Sequence, residues 1–137
     1  MDYDGRYKEI SINEIACRCG CGFKKMPMEL VEMFMVARRL FGEGITINSG
    51  CRCQKHNDAN GGKGGSAHVL GMALDIKPAK MTGNRNTDMY KFILLGNLLG
   101  RAGFERVGIR CNNDNIGTWF YHVDINYDKG RNIFFPY

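Results

Sequence analysis

Two stretches of the chain carry apolar residues at the three-and-four spacing of an amphipathic helix. In the first, Leu30, Val31, Phe34, Met35, Leu40 and Phe41 follow Pro27, whose fixed φ suits a first helical position, and Gly42 is placed to end the helix. The second runs from Asp88 through Leu99 to Ala102. Asn84 to Thr87 offers its start and Gly103 its stop, and apolar residues around most of its circumference predict a well-buried helix. A short third helix is predicted over 12–16, because Ser11 and Glu14 stand at the spacing of a capping box. Short apolar or alternating runs mark strands at 45–47, 72–76, 107–109 and 118–125. The glycine-rich segment 58–66 reads as a mobile loop leading to His68, and 111–117 as a polar turn. Helices first and in the middle, with short strands joined by irregular loops, predict an α+β domain in which helices cover one face of a small, mostly antiparallel sheet.

Strand alternation then sorts the polar side chains. In the last strand Phe120, His122, Asp124 and Asn126 share one face, and Trp119, Tyr121, Val123 and Ile125 share the other. In the strand at 72–76, Ala73 and Asp75 face away from the core-directed Leu74 and Ile76. His68 stands before Asp75 with Gly71 between them, and a glycine there can turn the chain so that imidazole and carboxylate point to a common spot. His122, from a separate strand, completes a set of three donors. Three protein donors with one position left for solvent is the form of a catalytic rather than a structural zinc site.

Composition narrows the function classes. The 137 residues suffice for one domain with one core, 1–137, and 44% apolar with 24% charged residues is the balance of a folded globular protein. The net charge of +5 favours anionic surroundings, but no dense basic stripe marks a nucleic-acid partner. No apolar run is long enough to span a membrane, and a monomer is expected. The first residues lack the apolar region of a secretory signal, so the chain as written is expected in the cytoplasm. Six cysteines, Cys17, Cys19, Cys21, Cys51, Cys53 and Cys111, are many for this length, and three of them lie in the Cys-rich segment 11–25. None has C-x-x-C spacing. Disulfides, reduced thiols and a second, structural metal ion drawing on both clusters all remain open, with the last two favoured where no secretory signal is present.

Ser66-Ala67-His68-Val69-Leu70-Gly71-Met72-Ala73-Leu74-Asp75 matches every fixed position of the motif S-x-H-x-x-G-x-A-x-D, and so resembles the zinc D-alanyl-D-alanine carboxypeptidases of peptidase family M15, which include phage endolysins. Upstream, Ile47-Asn48-Ser49-Gly50-Cys51-Arg52 is similar to the family's I-x-S-G-Y-R, with cysteine for tyrosine. Downstream, Phe120-Tyr121-His122-Val123-Asp124 resembles its F-x-H-V-D stretch, and Glu14 to Gly22 resembles the N-terminal segment of the same subgroup.

The resemblance implies a hedgehog/DD-peptidase-like fold and a zinc ion on His68, Asp75 and His122. That ion would polarise a peptide carbonyl and lower the pKa of its water to about 7. Arg52, with Ser49, Asn48 and Ser66 near it, would receive a substrate carboxylate, which a guanidinium fork pairs bidentately. Peptides of peptidoglycan are the implied substrates, cut by a carboxypeptidase or by an endolysin-type endopeptidase released to the cell wall. One branch of the family carries a glutamate three residues before the last histidine, where this chain has Trp119. Asp124 is then the candidate catalytic base, and it could equally orient an imidazole. The missing glutamate also keeps a second reading, a cell-wall peptide-binding module that retains zinc without catalysis.

Overall fold

The capping box at the start of the chain forms as its sequence requires. Ser11 Oγ accepts the Glu14 N–H at 3.3 Å and Glu14 Oε2 accepts the Ser11 N–H at 2.6 Å, and helix α1 (Ile12–Ile15) follows. The computed structural model describes residues 1–62 and 64–137. Helix α2 (Met28–Phe41) buries Leu30, Val31, Phe34, Met35, Ala37 and Phe41; Pro27 stands at its N-cap, and Gly42 ends it at φ 75°. Leu40, expected on the apolar face, is 45% exposed. Strand β1 (Ile45–Ser49) leads to α3 (Gln54–Ala59), which takes the first residues of the predicted loop 58–66. Within that predicted loop, residue 63 lies outside the described residues.

Strand β2 (Ala73–Pro78) precedes α4 (Arg85–Arg101), which the Asn84 side chain caps by accepting the Thr87 N–H. Helix α4 buries Phe92, Leu95, Leu98 and Leu99 but leaves Tyr90 and Ile93 more than half exposed, so its apolar surface is a face rather than a full circumference. Strands β3 (Arg106–Arg110), β4 (Phe120–Asp124) and β5 (Ile133–Pro136) complete the chain, with short 3-10 turns at Ile116–Thr118 and Tyr127–Lys129.

The five strands form one open sheet in the order β1-β2-β4-β3-β5, antiparallel except for the β3–β5 pair. Helices α2 and α4 pack on one face over Ile45, Ile47, Leu74, Ile76, Tyr121 and Val123, which gives the expected α+β architecture. Among the described residues, no helix is long and apolar enough to cross a membrane.

The opposite face carries the polar row. Register sets Ser49 against Asp75, Asp75 against His122, His122 against Gly108 and Gly108 against Phe135, so one line of side chains runs across the whole sheet. Asp75, His122 and Gly108 alternate with core residues, and Ser49 joins them through the register shift that separates it from the core residue Ile47, so the line faces away from the helices. Two glycines let the chain close around it. Gly71 holds φ 72°, and a Cβ there would overlap the Lys25 carbonyl oxygen. At Gly108 a Cβ would stand 2.8 Å from the Phe135 ring, so its absence lets the last strand cover the row.

Gly71→Ala is expected to lower unfolding stability by more than about 2 kcal/mol, since the backbone strain and the clash with Lys25 add. Gly42→Ala, at a similar φ in open space, should cost about 1 kcal/mol. Urea denaturation of the two variants checks the difference; equal losses would mean that the contact at Gly71 does not constrain the chain.

Candidate metal centre and cleft

The tight turn over 66–71 delivers His68. Ser66 Oγ accepts the His68 N–H at 3.3 Å, and successive turn bonds run from Val69 N to Ser66 O, Leu70 N to Ala67 O and Gly71 N to His68 O. The imidazole is fully buried, with Nδ1 at 2.7 Å from the Gly50 carbonyl oxygen. A carbonyl can only accept, so Nδ1 carries the proton and Nε2 presents its lone pair to the site. His68 Nε2 lies 3.1 Å from Asp75 Oδ1.

His122 is arranged in the opposite sense to the same end. Its Nε2 lies 2.9 Å from Asp124 Oδ2, so the carboxylate fixes the proton on Nε2, and Nδ1 turns inward to 3.0 Å from Asp75 Oδ1. The inward atoms of His68, Asp75 and His122 all lie within 4.8 Å of one another. Two imidazole nitrogens and one carboxylate oxygen, with both outer N–H groups tied to acceptors, form a donor set that suits zinc. The three residues predicted to share a spot therefore do so, although they come from a turn and two strands.

The charges around this set favour a cation. Burial alone would raise the Asp75 pKa, but in the metal-free protein hydrogen bonds from His122 and His68, made when the inward nitrogens carry a proton in place of an ion, outweigh it and hold the carboxyl at about 2. Burial likewise opposes charge on His122, yet Asp124 and Asp75 on either side raise its pKa above the ordinary imidazole value. Asp124, which burial would raise, is lowered by His122, Arg106 and the Asn126 N–H.

These donors open on a cleft of about 540 Å³. The predicted substrate residues Asn48, Ser49, Arg52 and Ser66 line it together with Asp75, His122 and Asp124, while His68 sits behind its wall. Arg52 is partly buried beside the centre: Nη1 donates to Asn57 Oδ1 at 3.0 Å, Nη2 to Ser49 Oγ at 3.1 Å, and Nη2 stands 3.8 Å from Asp75 Oδ2. Its backbone N–H donates to His68 O at 3.0 Å, which ties the cation to the metal-site turn. His56, also in the cleft wall, accepts the Asn60 side-chain amide at its backbone oxygen, 2.8 Å away.

Sequence reasoning missed the groups on the far side of the cleft. Arg106 is buried and donates through Nε to Asp124 Oδ1 at 2.6 Å, and through Nη1 to the Lys129 and Gly130 carbonyls. Tyr137 stacks on His122 with ring centroids 4.3 Å apart and planes 16° from parallel. Burial, with the nearby Asp75 charge, pushes its hydroxyl up to about 12. Gly108, a glycine inside a strand, is the signal that could have pointed to a close approach there. Trp119, in the place of the family's glutamate, turns away from the cleft: its indole packs edge-on to Phe92 in the core and donates to Asn113 O.

Fold and centre together define an α+β domain with three convergent donors, able to hold a metal ion, at the floor of a basic cleft. The chain belongs to the peptidase M15 family: the family model described as Peptidase M15 matches residues 6–116. Membership implies a zinc metallopeptidase. The match ends before His122 and Asp124, and it is the sheet register that brings these two to the motif residues. Searches of curated proteins and of solved structures give no match.

In metal-free protein, His122 is expected to titrate above the ordinary imidazole value of about 6.5. Its folded pKa is raised, so its contribution to stability is complete below that unfolded value and is lost as pH rises through the folded one. A metal ion must displace the same proton, so affinity should rise with pH over this window. NMR titration of the chelator-treated protein measures the imidazole; a His122 pKa at or below 6.5 would contradict the cradle described.

Proposed function

We propose that this chain is a zinc peptidase acting on the anionic stem peptides of peptidoglycan. One observation carries the reading: a three-donor metal centre faces a cleft whose wall holds Arg18, Arg52, Arg106, Arg110 and Lys129 against the carboxylates of Asp75 and Asp124. Such a wall attracts a peptide rich in carboxylates. His68, Asp75 and His122 would hold a zinc ion, which would supply a Lewis acid for the scissile carbonyl and lower the pKa of water to about 7.

The chain's own residues do the rest. Arg52 receives a substrate carboxylate, and its bonds to Ser49 and Asn57 hold the guanidinium in place before substrate arrives, which lowers the ordering cost of binding. Asn48 and Ser66 add polar groups to the same wall. Asp124 had two roles open to it. Its Oδ1 accepts from Arg106 and from the Asn126 N–H, and its Oδ2 from His122, which supports the positioning role over that of proton acceptor. In that role it keeps the His122 proton on Nε2 and leaves the lone pair of Nδ1 turned inward, where it would hold a metal ion.

Digestion of purified peptidoglycan by the zinc-loaded protein, with mass spectrometry of the new termini, tests the reading. Release of stem-peptide fragments that stops on chelation, and that His68→Ala abolishes together with metal binding, is the expected result. Zinc-loaded protein that binds cell-wall fragments without cutting them would instead establish the non-catalytic module. Arg52→Ala should raise KM at least tenfold for carboxylate-bearing peptides, with little change for the same peptides carrying amides. Asp124→Asn separates its two roles. As a positioning residue its loss weakens zinc binding about 10- to 100-fold, with activity restored by excess zinc; as a proton acceptor its loss would lower kcat at saturating zinc.

A further inference from the structure

A second cluster of donors lies outside the cleft's metal centre. The sulfurs of Cys17, Cys19, Cys21 and Cys53 all lie within 4.8 Å of one another, with Cys17 Sγ 3.4 Å and Cys53 Sγ 3.6 Å from Cys19 Sγ. Four thiolates on a zinc ion at about 2.3 Å occupy the corners of a tetrahedron with edges of about 3.8 Å. Two backbone amides already aim at the sulfurs: Cys53 N–H at Cys17 Sγ and His56 N–H at Cys53 Sγ, each 3.4 Å away. Such N–H donors stabilise thiolate charge and orient metal-bound sulfur.

The remaining cysteines are set apart. Cys51 is buried in the core with its thiol toward the Lys25 carbonyl, and Cys111 is exposed just beyond β3. Neither belongs to the cluster. Four of the six cysteines therefore converge from chain segments that are far apart in sequence.

We propose that Cys17, Cys19, Cys21 and Cys53 bind a structural zinc ion, distinct from the ion at His68, Asp75 and His122. With four protein ligands the site is closed, in contrast to a three-donor centre that leaves a position for substrate. Its placement gives it a role. Cys53 directly follows Arg52 and caps α3, from which Asn57 holds the Arg52 guanidinium. The next link is Cys51 N–H, which donates to Ile15 O at 2.7 Å beside the Cys17 turn. A tetrathiolate ion clamps the N-terminal segment onto the loop that carries the carboxylate-binding arginine, and so fixes that loop independently of the rest of the cleft wall.

The test uses the full chain loaded with zinc under reducing conditions, and then with cobalt(II) as a spectroscopic substitute. Metal analysis should find two zinc ions per wild-type chain and two in Cys111→Ser. His68→Ala should keep one, and its cobalt form should show the intense near-ultraviolet thiolate-to-metal bands of a tetrahedral sulfur site. Cys19→Ser/Cys21→Ser should lose those bands and retain the cleft ion. A His68→Ala protein without thiolate-to-cobalt bands would overturn the proposal, whether or not the cysteine variant folds. So would recovery of the four cysteines as two disulfides after reductive purification. Because the decisive spectrum comes from a protein lacking the cleft ion, this result is independent of the peptidase reading.

Discussion

The pairing of β2 with β4 is the constraint on which the rest depends. Asp75 stands directly opposite His122 in that antiparallel pair, and Leu74 opposite Val123. Side chains alternate with a period of two, so a slip of one residue by either strand would turn its own polar residue, Asp75 or His122, into the core and leave its own aliphatic one, Leu74 or Val123, in the cleft. The cost of burying a charged side chain away from its partner and exposing an aliphatic one locks the register. Metal-site geometry is thus fixed by the hydrophobic effect on the far side of the sheet.

Burying this many charges is tolerable only because each has a partner. Asp75 is met by both imidazoles and, at 3.8 Å, by Arg52; Asp124 by His122, Arg106 and a backbone amide. Among the described residues, no buried side-chain nitrogen or oxygen lacks a hydrogen-bond partner. A half-satisfied network in such a place would cost more than an apolar one, so these bonds act together rather than singly. They also explain how two histidines keep the correct nitrogen inward: Gly50 O and Asp124 hold the outer protons, and Tyr137 closes over the second ring.

Much of this was legible in the sequence, and the limits have physical causes. Alternation placed His122 and Asp124 on one face of their strand and turned Asp75 away from the core in its own, because strand periodicity is local information. The glycine at 71 announced a turn because only its φ and lack of a side chain fit there. Helix α3 was missed because Gln54–Ala59 has no apolar periodicity and is capped by a thiol rather than by a usual capping group. Strand β5 was missed because its residues are largely exposed and its parallel partner β3 lies well upstream in the chain. Arg106 reads in sequence as a solvated cation, and only the sheet reveals its buried partner. The cysteine spacing left several states open, and it carried no sign that Cys53 lies beside the N-terminal three.

The central claim is that His68 Nε2, Asp75 Oδ1 and His122 Nδ1 hold one ion with a position left for solvent. Anomalous diffraction at the zinc edge from crystals of the zinc-loaded protein tests it most directly. The account predicts a peak about 2.0–2.2 Å from each of these three atoms, with a water molecule as fourth neighbour. A peak that misses any of the three, or whose fourth corner is filled by a protein atom, would contradict it.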